Sequence, residues 1–160
     1  MAAEQYQTAE PHTGFAIVTT RVYNCGKEAI LKGLDLSSST IKVALVMTNT
    51  TCDTENDGIS VVGDFTTLDE HNGSGYARQT LSGKTVTKQD ANDRAKFSAT
   101  DPVFASLGAG PRNVAGVLLI WDNGGTLVPI SFHEYTTPRV ADGTDFEVPI
   151  RADTGLILGN

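Results

Sequence analysis

From Ile41 onward the apolar positions fall in runs of five to nine residues, separated by clusters of Gly, Asn, Asp and Pro, which is the punctuation of a sheet protein. Ile41 to Met47 is apolar at nearly every position and predicts a central strand covered on both faces. Arg94 to Ala99 alternates strictly, so Ala95, Phe97 and Ala99 are expected inside and Arg94, Lys96 and Ser98 outside. Phe146, Val148 and Ile150 alternate in the same way against Asp145, Glu147 and Pro149. Between Val114–Trp121 and Leu127–Tyr135 stand Asp122, Asn123, Gly124 and Gly125, a spacing that calls for a tight antiparallel hairpin. Pro129 lacks the N–H that a ladder needs, so it predicts either an edge strand or a bulge. With Tyr76–Leu81, Lys84–Lys88 and Leu156–Leu158 the total reaches seven or eight strands. Two packed layers are then required, and the expected fold is an antiparallel β-sandwich.

Asn24 to Gly33 breaks the pattern and reads as one short helix. Asn24 is placed to cap it, Gly33 to end it, and Cys25, Ala29 and Ile30 share a face. So short a helix is marginal alone and must dock on the sheet. Residues 1–22 are polar and unpatterned until Phe15–Val18, and read equally as an N-terminal arm laid over a neighbour or as a first strand at 15–22. Residues 23–160 are expected to form the single sandwich domain.

Composition narrows the function classes. A chain of 160 residues with 39% hydrophobic residues buries a core without disulfides or metal. Twelve basic residues against nineteen acidic ones give a net charge of −7, which argues against a protein that tracks nucleic-acid phosphates. The longest apolar stretch, Val114–Trp121, is far short of a membrane-spanning helix, and the first residues show no basic leader followed by an apolar block. Cys25 and Cys52 have no paired spacing and read as ordinary thiols of a reducing compartment.

Candidate chemistry is sparse. His12, His71 and His133 fall in the N-terminal segment, a loop and an expected strand, with no local motif joining them to a nucleophile. No enzyme and no cofactor is expected, although a triad assembled only in three dimensions has no signature in sequence. Asp53, Glu55, Asp57 and Asp64 follow the oxygen-donor spacing of a calcium loop, but Glu55 and Ser60 depart from its pattern and the flanks are strand-like, so a solvated acidic connection is the favoured reading. Asn49 and Asn72 begin Asn-x-Ser/Thr triplets, which carry no meaning without a secretory route. Trp121 and Tyr135 are placed to face each other across the hairpin, as a core pair or as a sugar-stacking platform.

The succession KEAILKGLDL, TIKVALV, a polar acidic loop, GSGYARQTLSGKTVT, NDRAKFSATDPVFASL and VAGVLLIWD resembles a widespread family of small structural proteins of tailed bacteriophages. The likeness covers about residues 23–123. Gly73, Gly75 and Tyr76 fit that family's turn, Lys84 to Thr87 its next strand, and Phe104 stands where tryptophan is common. The resemblance implies a β-rich virion protein, made in the cytoplasm of a bacterial host, that decorates or cements the outer surface of the capsid. Its implied partners are the major capsid protein and further copies of itself, as dimer or trimer, with neither nucleic acid nor membrane. The segment Ala2–Arg21, with Tyr6, Phe15, Ile17 and Arg21, is the expected capsid-contacting arm, and loops 50–73 and 100–113 are secondary contacts. A tail or neck component, or a receptor- or carbohydrate-binding module of the virion, is the alternative.

Overall fold

Two consecutive glycines after an apolar strand can both take positive φ, and that geometry matches the twist of a hairpin. Gly124 and Gly125 do so, at +61° and +98°, and close the longest ladder of the molecule. The computed structural model describes residues 17–92, 94–150 and 157–159. Within them the strands and helix run β1 (Ile17–Val22), α1 (Asn24–Leu31), β2 (Ile41–Met47), β3 (Gln79–Thr80), β4 (Thr85–Gln89), β5 (Arg94–Ser98), β6 (Val103–Phe104), β7 (Val114–Asn123), β8 (Thr126–Arg139), β9 (Phe146–Glu147) and β10 (Ile157–Gly159). A five-stranded sheet has the order β1-β8-β7-β2-β3, a three-stranded sheet the order β10-β5-β4, and β6 pairs with β9; every pairing is antiparallel. The protein is therefore mainly β with one helix, the sandwich-like class expected. Ten strand segments are described against the seven or eight predicted: the additions are β1, which the sequence left open between arm and strand, and β6, a two-residue pairing that no periodicity marks, while β3 and β9 are shorter than their predicted runs.

The five-stranded sheet is buried on both faces, which is why β2 and β7 read as nearly continuous apolar runs. On one face Val43, Leu45, Val117 and Leu119 pack with Leu81, Phe97, Phe104, Phe146, Val148 and Ile150, so the smaller sheets form the second layer. On the other face Ala44, Val46, Leu118, Ile120 and Phe132 pack with Tyr23, Cys52, Ile59, Val62 and Phe65. Apart from Tyr23, which precedes α1, that cover is the long connection between β2 and β3, with no sheet of its own beyond a single bridge from Val46 to Glu70.

Of the two readings of Pro129 the bulge holds, and two other local expectations need correction. Pro129 lies on a strand flanked by β1 and β7, so β8 is not an edge; instead the register slips between Leu119 and Ile120, whose partners are Ser131 and Pro129, and Ile130 is the extra residue. Pairing with β1 ends at Val22↔Ser131, so the missing N–H of Pro129 is never asked for. Lys96 is buried, 4% exposed, although alternation placed it outside, while Ala95 and Ala99 are only half-buried. β5 is the middle strand of its sheet, and its burial follows what covers it; the long lysine stem packs readily. The helix is not capped by the Asn24 side chain: Tyr23 is the N-cap residue, and the Asn24 N–H donates to Asn56 Oδ1 at 2.9 Å.

The helix end agrees with expectation, since Gly33 takes φ +100° and the Leu34 N–H donates to the Ala29 carbonyl. Docking depends on Gly26, the buried residue of α1, where a Cβ would lie 2.8 Å from the Ile130 carbonyl oxygen. β1 is an edge strand of the main sheet, running along β8 from Ile17↔Tyr135 to Val22↔Ser131. Tyr6 and Phe15 of the expected arm lie outside the described residues.

Candidate interaction surface

A nucleophile needs a base beside it and a route for substrate. Ser131 Oγ lies 3.0 Å from His133 Nε2, and Thr20 Oγ1 lies 3.2 Å from His133 Nδ1. The trio arises because Ser131 and His133 are two apart on β8 and share a face, and Thr20 is the register partner of His133 on β1. Ser131 and His133 are 0% and 2% exposed, so no substrate reaches the hydroxyl. Burial alone pushes the imidazole down to about 4, leaving it neutral and hydrogen-bonded. The arrangement ties the edge strand to the sheet.

His71 is likewise architectural. Its Nε2–H donates to the Gly108 carbonyl at 3.1 Å, and Nδ1 is buried with no hydrogen-bond partner among the described residues. Gly73 and Gly110 press on the ring too closely for any Cβ. Beside it Tyr76 stacks on Phe104 at 5.7 Å and donates to Glu70 Oε1 at 2.6 Å. Arg78 grips the same carboxylate through Nε and Nη2, at 2.7 and 2.6 Å. Burial raises the Tyr76 hydroxyl above its ordinary range, so the phenol stays protonated. The GSGY turn thus hangs on one carboxylate, which the neighbouring strand holds at Val46↔Glu70.

The four carboxylates of the calcium-like spacing do not converge. Asp64 Oδ2 accepts the backbone N–H groups of Ser60 and Val61 at 2.8 and 2.9 Å, and these bonds lower its pKa. Glu55 Oε2 accepts from the Thr66 N–H and the Thr51 hydroxyl, with the same effect. Asp57 is exposed, and Asp53 lines a separate cleft of about 170 Å³ with Glu134, Thr48 and Thr50. Among the described residues no three His, Cys, Asp or Glu side chains gather as a metal group. The spacing of a calcium loop has become a loop that folds on its own backbone.

Trp121 and Tyr135 do not face each other, because Trp121 pairs with Val128 and Tyr135 with Ile17. Tyr135 is buried under the Arg139 guanidinium, so the sugar-stacking platform is absent from this hairpin. Cys25 and Cys52 are both free thiols, and burial raises each, Cys52 to about 11. Of the expected contact residues, Ile17 begins β1 and Arg21 is half-buried on it, with its Nε enclosed and unbonded.

One concavity has a wall inside loop 50–73, which the sequence offered only as a secondary contact. A shallow groove of about 520 Å³ runs between Val61, Val62, Phe65 and Leu68 on one side and Gly125–Leu127 of the hairpin turn on the other, with Arg78 at its rim. Ile59, Val62 and Phe65 recur every third residue in what reads as a polar acidic loop, and that spacing is its only signal. The opposite wall comes from residues that stand far along the chain. Compared with known proteins, the chain matches no protein-family model, no curated protein and no solved structure.

Proposed function

We propose that the protein is a structural component of a tailed-bacteriophage particle, of the kind that decorates the outside of the capsid and stabilises its shell. The observation that carries the reading is the run of resembling segments between residues 23 and 123, whose residues hold architectural positions. Gly73 and Gly75 shape a turn, Tyr76 and Phe104 stack beneath it, and Phe97 fills the core between the sheets. A two-layered body with its polar networks spent on internal ties suits adhesion. Such a protein stabilises a shell by mass action, because it binds the assembled lattice and not loose subunits. A net charge of −7 favours solubility of many exposed copies.

Copy number on purified particles tests the reading. The chain is expected near stoichiometry with the major capsid protein and to rebind heads that have been expanded and emptied. A few copies per particle would assign it to the tail or neck, and absence from particles would overturn the proposal.

A further inference from the structure

We propose that the groove between residues 61–68 and the β7–β8 turn is the docking site for a protein segment that presents one apolar side chain flanked by lysine or arginine. The groove is open and shallow, and its lining is mainly apolar: Val61, Val62, Phe65, Leu68 and Leu127. Such a trough fits a side chain carried on another chain better than a small molecule that must be enclosed. Arg78 at the rim does not select an anion, because Glu70 already holds it in a two-point ion pair at 2.6 Å.

Charge decides what flanks the apolar group. No Lys or Arg occurs between Lys42 and Arg78, while Asp53, Glu55, Asp57, Asp64, Asp69 and Glu70 all do. Asp69 is matched by Arg112 and Glu70 by Arg78, whereas the other four carboxylates make no ion pair among the described residues. Asp64 follows Gly63 of the groove wall, and Glu55 accepts the N–H of Thr66 next to Phe65 of that wall, so both carboxylates stand beside the groove. Their field is uncompensated over about 8 to 10 Å at ordinary salt, and a basic flank neutralises it. Acidic or phosphate-bearing partners are repelled. This inference does not rest on the capsid reading, and its failure leaves that reading untouched.

The test is an NMR titration of the isotope-labelled full chain with a seven-residue synthetic peptide carrying one phenylalanine between pairs of lysines. Shifts are expected to cluster at residues 61–68 and 125–127 and to shrink as salt rises. Replacing the peptide phenylalanine by glycine should weaken binding about tenfold or more, the scale set by burying one such side chain. Replacing its lysines by glutamates should abolish binding. Thr126→Lys, an exposed change at the groove mouth, should weaken the peptide without altering the rest of the spectrum. Absence of binding, equal binding of the glutamate peptide, the largest shifts elsewhere, or unchanged affinity of Thr126→Lys would each overturn the proposal.

Discussion

The imidazole of His133 shows how one buried side chain sets a property of the fold. Among the described residues its ring nitrogens meet the hydroxyls of Thr20 and Ser131, and burial lowers it from 6.5 to about 4. The unfolded chain therefore takes up a proton between these two values that the folded chain refuses. Above about pH 6.5 this group costs nothing, and as pH falls toward 4 stability is lost by up to about 3 kcal/mol. Below about 4 both states are protonated and its contribution stops changing. Carboxylates with lowered values, such as Asp69 under Arg112, act in a different window, losing their contribution only as the solution becomes more acidic than the ordinary carboxylate range. Urea midpoints measured from pH 7 to 4.5 should fall for the native protein and fall much less for His133→Gln. An equal slope in both would place the effect elsewhere. The sequence places His133 on an expected strand and His71 in a loop, yet both are buried, since burial is decided by what comes to lie alongside.

At the level of elements, helix α1 makes the sharpest case because two known effects oppose each other. Glycine inside a helix normally costs up to about 1 kcal/mol relative to alanine, so Gly26→Ala would stabilise an isolated helix. Here the new Cβ would meet the Ile130 carbonyl oxygen at 2.8 Å and its Cα at 2.9 Å, both backbone atoms that cannot swing aside. Overpacking of this kind costs about 1 to 3 kcal/mol and exceeds the propensity gain. Chemical denaturation should show Gly26→Ala less stable than the native protein; an unchanged or raised midpoint would mean that the helix shifts on β8 at little cost. Elements with a local cause were legible in the sequence: the Gly124–Gly125 turn, the helix and its end at Gly33, and the doubly covered β2. Those with a distant cause were not. Asn56 caps a helix more than thirty residues earlier, and Lys96 is buried by strands that the alternation rule does not know about.

The whole molecule shares one sheet between two cores. Leu118 and Ile120 face one cluster while Val117 and Leu119 face the other, so neither core survives without β7. Phe132 belongs to the loop-covered cluster and Trp121 packs against the opposite one. Phe132→Ala removes a fully buried ring and should cost about 3 to 5 kcal/mol. If the cores are coupled, Trp121 fluorescence and far-ultraviolet circular dichroism will shift together to the same lower midpoint. Separate midpoints would mean that the loop cover melts on its own. That cover was the least legible part of the fold, because its apolar residues stand singly among Asp, Thr and Gly, and the groove forms only once the hairpin turn comes to rest opposite them. The stretch without a basic residue also has a biochemical corollary. Trypsin-like enzymes, which cut after lysine and arginine, find no site from Val43 to Ala77, so the segment stays in one fragment ending at Arg78. An acid-directed endoproteinase meets the exposed Asp57 and Asp64 in the same loop, and a short pulse of each enzyme would read opposite fates for the same few turns of chain.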